Sequence, residues 1–403
     1  MDAALNPFSP GSGRRPPELV GRVAELEAFD TIVARSRGGL TSRGIMLAGL
    51  RGVGKTVLLN EMYGQAERAG WFAVRLEARR DESGEASIRR RLARELVAAA
   101  RSLNKPKASA RMKRALQSVG AFNAKIGATG IDLGVQLAAG RADSGDIEVD
   151  LGELVQDIST ALVEVHGTFG LFVDELQDLD TATLSALVAA QHEAGQRDWP
   201  FYVIGAGLPN LPRVLSDARS YAERLFDYRT IGRLRPQDAE LALVEPAARY
   251  GARFGPEALD ILVTAADGYP YFIQEYGQAI WNLAPASTFT AADAQAAVTF
   301  GLEHLDQGFF RARWERATPS ERRFLIAMSE DNDTPSMSGD VAARLGVKIT
   351  SLGPNRANLM AKGLIYSPQH GQIAYTVPGM AAYVHRHREE VAAAGEDGVP
   401  APS

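Results

Sequence analysis

The residues best placed to do chemistry are Gly49-Leu50-Arg51-Gly52-Val53-Gly54-Lys55-Thr56, which have the form G-x-x-x-x-G-K-[ST]. An apolar run, Gly44-Ile45-Met46-Leu47-Ala48, precedes them and reads as a buried strand. Val57-Leu58-Leu59-Asn60-Glu61-Met62 follows and reads as the start of a helix. Gly49, Gly52 and Gly54 let the backbone curl so that its N–H groups face phosphate oxygens, and the helix N-terminus adds partial positive charge. Val53 and Val57 flank that cradle. Lys55 is expected to reach the β- and γ-phosphates and the Thr56 hydroxyl to hold Mg²⁺. A second constellation, Gly170-Leu171-Phe172-Val173-Asp174-Glu175, is an apolar run ending in two acids, as a central parallel strand presents them at its carboxyl edge. Asp174 is expected to ligate Mg²⁺ through water, and Glu175 to orient or activate an attacking water.

The elements that must position these groups alternate between strand and helix. Trp71 to Leu76 reads as a strand, as does Phe201-Tyr202-Val203-Ile204-Gly205-Ala206-Gly207, which should lie beside the Asp174 strand; Arg229-Thr230-Ile231 should be the last. Leu208-Pro209-Asn210 follows the Gly-rich strand end, and Asn210 is the nearest polar group that could sense a γ-phosphate. Arg22 heads a helix that carries Leu26, Phe29, Ile32 and Val33 at helical spacing; it either sits beside an adenine or is exposed to solvent. Arg224 ends a short helix and either reaches a neighbouring subunit's nucleotide as an arginine finger or pairs with Glu223 or Asp227.

Between the two acidic and glycine-rich motifs lies a basic segment including Arg89, Arg90, Arg91, Arg94 and Arg111, met by few acids, chiefly Glu95. Leu92, Leu96, Val97 and Ala100 give it an apolar face, so its basic side is either a solvated helix face or a phosphate or nucleic-acid contact. Residues 122–140 alternate around Thr129-Gly130 and read as a β-hairpin. Asp143, Asp146, Glu148, Asp150, Glu153 and Asp157 then lead into another helix.

At the far end Thr318-Pro319-Ser320-Glu321 caps a helix, Ser338 to Gly346 holds a second, and Lys348 to Lys362 a third ended by Gly363. Wing strands at Leu364-Ile365-Tyr366 and Gln372 to Val377 turn at His370-Gly371. This is the order of a winged helix-turn-helix. From Val341 to Arg388 there is no Asp or Glu, and Arg344, Lys348, Asn355, Arg356, Asn358 and Lys362 are the candidates for duplex DNA. The alternative is a winged helix that contacts protein.

The order of these motifs resembles the AAA+ ATPases, most closely the branch shared by origin-recognition initiators and the prokaryotic ATPases near the STAND class, over residues 17–310. The resemblance implies an α/β P-loop NTPase with a parallel sheet, a helical lid and a C-terminal winged helix. It implies Mg²⁺ and ATP, held between P-loop and lid. Gly268-Tyr269-Pro270 matches the Gly-x-Pro turn that the resemblance places against adenine or sugar. Initiator-type members carry an Arg in this neighbourhood, and residues 268–278 hold none, which favours a slow switch. The expected function is nucleotide-dependent control of DNA binding or assembly, with ATP, ADP, DNA, a homo-oligomer or a protein as partners. The rivals are a STAND-like signalling or defence ATPase whose winged helix docks on protein, and a scaffold without turnover.

The expected division is a flexible arm (1–16), the nucleotide domain (17–234, with the basic helix and hairpin inserted at 85–142), the lid (235–310), the winged helix (316–390) and a disordered tail (391–403). The chain has 403 residues and no cysteine, so thiol chemistry and Cys-ligated zinc are excluded. Its net charge of −5 argues against a wholesale polyanion binder. Absence of a long apolar run or a secretory-type start leads to an expected cytoplasmic, non-membrane protein. The histidines are scattered, and no Ser-His-Asp or zinc pattern stands out.

Overall fold

The computed structural model describes residues 1–79, 85–103, 110–124 and 142–387. These form two compact units. One contains residues 22–49 and 55–231; the other contains 1–21, 50–54 and the chain from 232 onward.

The first unit is built on a five-stranded sheet: β1 (Gly44–Ala48), β2 (Phe72–Glu77), β3 (Phe169–Asp174), β4 (Phe201–Gly207) and β5 (Phe226–Thr230). The order is β2-β3-β4-β1-β5, and every pair is parallel. Strands β1, β3 and β4 are buried along their whole length, which is why their sequences are apolar throughout rather than alternating. In register, Glu77 stands beside Asp174 and Met46 beside Gly205. Thus β4 separates the strand that leads into the glycine loop from the strand that ends in Asp174.

The helices of this unit are α1 (Val23–Arg37), α2 (Lys55–Arg68), α3 (Glu85–Leu103), α4 (Ala110–Ala124), α5 (Ile147–Val163), α6 (Thr181–Gln196), α7 (Leu211–Ala218) and α8 (Ala222–Leu225). Leu92, Leu96, Val97 and Ala100 of α3 are buried with Val155 of α5 and Val74 of β2 in one apolar core. Asp146 caps α5 by accepting from the amides of Glu148 and Val149, so one expected acid is a helix cap. Asp150 is fully buried and pairs with Arg89, whose guanidinium also lies 4.7 Å from the Phe122 ring. Glu164 meets Arg111 at 3.4 Å. The basic run therefore has partners from α5 that its own sequence does not reveal. Phe122, expected to open a hairpin strand, lies on α4, where it is buried with Ala115 and Val119 at helical spacing. The rest of that hairpin lies outside the described residues, as does the tail 391–403.

In the second unit α9 (Pro236–Arg249), β6 (Arg253–Phe254), α10 (Pro256–Ala266), α11 (Pro270–Leu283), β7 (Thr288–Phe289) and α12 (Ala291–His304) make the helical lid. A π-helical turn, Leu305–Phe310, carries α12 into α13 (Arg311–Trp314) without a break, so the lid boundary expected at 310 falls inside a continuous helical stretch. Then come α14 (Pro319–Ser329), β8 (Ser336–Met337), α15 (Ser338–Arg344), α16 (Gly353–Ala361), β9 (Ile365–Tyr366), β10 (Gln372–Tyr375) and α17 (Met380–Arg386), with a small antiparallel sheet in the order β8-β10-β9. Proline opens α9, α10, α11 and α14, where its missing N–H costs nothing. The Thr318–Glu321 capping box is formed.

The arm expected to be loose is instead packed on α11. Phe8 is 2% exposed against Gly277, where any Cβ would sit 2.6 Å from its ring. Trp281 donates its indole N–H to the Asp2 carbonyl at 2.8 Å, and Asn6 donates to Gln278 at 3.1 Å. One large apolar anchor outweighs the Pro, Gly and Ser around it.

Candidate nucleotide site

In the first unit Lys55 and Thr56 open α2, and Lys55 is buried. Asp174, at the end of β3, is 8% exposed. Its carboxylate accepts from the Thr56 hydroxyl and, at 2.9 Å, from the amide of Glu175. Burial pushes the Asp174 carboxyl above its ordinary value and the Glu175 charge adds to that, while Thr56, the Glu175 amide and Lys55 pull it back. A hydroxyl, a carboxylate and an ammonium thus converge where the sequence requires a hard cation and phosphate to be met. Glu175 itself adopts φ 52° and ψ 41°, a left-handed conformation uncommon for a side chain of its size and concentrated at functional positions. Val57 is half-buried in the first turn of α2.

One residue here was missed from sequence. Gln177 donates to the Glu175 carboxylate at 2.6 Å and accepts from the amide of Leu208 at 2.9 Å. Its trace in the sequence is the pair Gly205 and Gly207 on β4, which make room for the turn after Glu175.

Gly49 does not serve as expected. Its N–H donates to the Gly207 carbonyl at 3.1 Å, prolonging the β1–β4 ladder, so it is not available to a phosphate. Arg22 precedes α1 and is 8% exposed, which removes the solvent-exposed alternative. Asn210 stands at the start of α7 without capping it, and its amide oxygen is enclosed with no hydrogen-bond partner among the described residues. Arg224 is exposed on α8. Asp227 pairs with Arg229 at 2.7 Å instead, and Arg224 forms no ion pair among the described residues.

In the second unit the tip of the glycine loop has Gly52 at φ 86° and Gly54 at φ 92°, conformations that favour glycine. A Cβ on Gly54 would meet nothing within 4 Å, so an open cradle faces that position. Val53 between them is buried. The Arg51 amide donates to the Thr376 carbonyl at 2.9 Å. Thr376 is itself held by its hydroxyl on the Gly363 carbonyl at 2.7 Å.

Pro270 is the first residue of α11. Gly268 before it has φ 69°, and its carbonyl accepts from Leu234 at 2.7 Å. The Gly-x-Pro turn is therefore a helix start that also fastens the entry to α9. No arginine lies in 268–278, but Arg313 of α13 does approach the loop tip. Its guanidinium lies 3.9 Å from the Phe309 ring, which stacks on Tyr271 at 4.8 Å, and Tyr271 faces Gly52. Burial, with Arg51 and Arg316 nearby, pushes Arg313 down to about 10, so it stays charged at neutral pH.

Several of the candidate DNA residues have partners within this unit. Arg344 makes two 2.6 Å bonds to Asp331 and a third to the Ala327 carbonyl. Lys362 donates at 2.5 Å to Glu321, which is 1% exposed. Arg356 is half-buried and donates to Ser367 at 3.1 Å, and Asn355 accepts from Ser320 at 3.3 Å. Lys348 and Asn358 remain exposed. The 341–388 stretch lacks acids, but two of its basic residues, Arg344 and Lys362, are matched by acids from α14 and the following loop. Arg386 is likewise bound to Asp306 at 2.5 Å.

The parallel sheet with β4 between the two motif strands defines an α/β fold, and the chain continues into a helical lid and a small C-terminal antiparallel-sheet domain. Residues 18–204 match the AAA ATPase domain family and form such a domain; residues 307–384 match a Domain of unknown function (DUF8462). Comparison with curated proteins gave no significant match. Among solved structures, the Thermotoga maritima RuvB Holliday junction branch migration motor is 16% identical, with 95% of this chain and 98% of that chain covered at a TM-score of 0.45. Cdc6p from Pyrobaculum aerophilum is 15% identical, with 97% and 99% covered at 0.44. The Aeropyrum pernix Orc1 protein in complex with DNA is 14% identical, with 94% of each covered at 0.43. Among the described residues no helix is long and apolar enough to cross a membrane.

Proposed function

We propose that this protein is an ATP-binding AAA+ switch that hydrolyses ATP to ADP and phosphate, with the winged helix as its output. The observation that carries this is the convergence of Lys55, Thr56 and Asp174, a cation-and-phosphate donor set. Bound Mg²⁺ would supply charge neutralisation on the phosphates, with Thr56 and Asp174 holding it. Lys55 and the amides of Gly52, Val53 and Gly54 bind phosphate. Glu175 orients water and takes its proton. Asn210 offers an unsatisfied amide oxygen, Arg22 and Pro270 are offered to the nucleoside, and exposed Arg224 is offered to a second copy. Arg313 adds positive charge at the loop tip, although no arginine occupies 268–278. The Arg51–Thr376 hydrogen bond supports a switch, because a loop that rearranges around phosphate would be felt at the end of the wing.

For the output, the internal pairing of Arg344, Lys362 and Arg386 favours a protein surface over duplex DNA. The catalytic part is tested by phosphate release from Mg-ATP. Glu175→Gln should lower the rate by about 10²- to 10⁴-fold while ATP binding persists. Equal rates for variant and wild type would remove the catalytic role.

A further inference from the structure

Gln177 lies in the short turn Leu176–Asp178 that follows Glu175. Its two hydrogen bonds fix which end of the amide faces which partner. The Leu208 backbone N–H can only donate, so it must meet the amide oxygen, at 2.9 Å; the NH₂ group then faces the Glu175 carboxylate at 2.6 Å. Strand β4 is shaped to receive this turn. A Cβ on Gly207 would sit 2.6 Å from the Gln177 amide oxygen, and a Cβ on Gly205 would sit 2.0 Å from Leu176. Neither glycine has a positive φ, so close approach and not backbone conformation requires them. The left-handed backbone at Glu175 is held from both sides by this arrangement, with Asp178 donating its amide to the Glu175 carbonyl at 2.8 Å.

We infer that Gln177 is a positioning residue for Glu175, which fixes the carboxylate that activates water and ties it to the β4 end, where Leu208 and Asn210 lead into α7. This rests on the hydrolytic reading above. The Gln177 amide N–H holds the Glu175 carboxylate that is to accept a proton. It also fixes one oxygen in space, and a misplacement of about 1 Å at such a group costs roughly 100-fold in rate. A shift of Leu208, at the strand that leads to Asn210, would move the Gln177 amide and with it Glu175.

The test is single-turnover and steady-state phosphate release by the full chain, with labelled-ATP binding measured in parallel. Gln177→Ala should lower kcat by about 10- to 100-fold with ATP affinity within about twofold of wild type. Gln177→Glu keeps the acceptor for Leu208, which covers the case in which the alanine variant fails to fold. It replaces the amide donor to Glu175 with a carboxylate and should lower kcat by about 10- to 100-fold with ATP affinity near that of wild type. In a Glu175→Gln background, Gln177→Ala should cost nothing further, since the two act as one unit. Wild-type kcat in Gln177→Ala or in Gln177→Glu, or an equal loss in both backgrounds, would each overturn the assignment while leaving the hydrolase reading intact. Tight ATP binding without any wild-type turnover would instead remove the hydrolytic reading, and this assignment with it.

Discussion

Asp174 is a buried carboxylate held against its own desolvation by a hydroxyl, an amide and a lysine. Its folded-state pKa is raised, so the folded protein takes up this proton at higher pH than the unfolded chain does. The energetic cost of ionising it grows as pH rises through the ordinary carboxylate range and is fully present at neutral pH. Asp174→Asn should therefore raise the melting temperature of the ligand-free protein by about 2–4 °C at neutral pH. The gain should shrink as pH falls and vanish below the ordinary carboxylate range, where Asp174 is protonated in the folded and the unfolded chain alike. The same variant should lose the Mg²⁺ dependence of nucleotide binding. A lower melting temperature at neutral pH would show that the hydrogen bonds outweigh the burial. At this scale the placement of Lys55 and Thr56 at a helix start and of Asp174 at a strand end was legible, because each belongs to a short motif of fixed spacing. The partners of the DNA candidates Arg344 and Lys362, Asp331 and Glu321, were not legible because they lie outside the acid-free stretch.

Strand β4 is the element on which the candidate site turns. It lies between β1 and β3, and its glycines admit Leu176 and Gln177 from the turn after Glu175. Gly205→Ala would place a methyl 2.0 Å from Leu176 and 2.8 Å from the Met46 sulfur. It should destabilise the protein by about 1–3 kcal/mol, as overpacking of a filled core does, read as a lower midpoint in urea. An unchanged midpoint would mean that the turn is not packed this closely. The strands themselves could be read from unbroken apolar runs, because a sheet covered on both faces needs no polar alternation. The run from Phe122 was read as strand because two or three residues of alternation do not separate period 2 from period 3.6, and its first residues complete the apolar stripe of α4. The 1–16 segment was read as loose from its composition, which hid Phe8.

At the scale of the whole molecule, a parallel-sheet α/β domain, a helical lid and a small C-terminal antiparallel-sheet domain were legible from motif order. How the loop tip joins the second unit was not, since a backbone hydrogen bond from Arg51 to the Thr376 carbonyl has no sequence signature. The paired basic residues of the winged helix set its expected output. In a gel shift with random duplex DNA at two salt concentrations, the full chain should give little retardation at either. Binding that weakens steeply with salt, as phosphate contacts do, would restore duplex DNA as the partner. The central claim is that Mg-ATP is held by the glycine loop, Lys55, Thr56 and Asp174. It is tested most directly by binding of labelled Mg-ATP to wild type and to Lys55→Ala. Loss of one charged hydrogen-bond donor, about 1.5–3 kcal/mol, should weaken binding by about 10- to 100-fold. Equal affinity in the two proteins, or no binding by wild type, would contradict it.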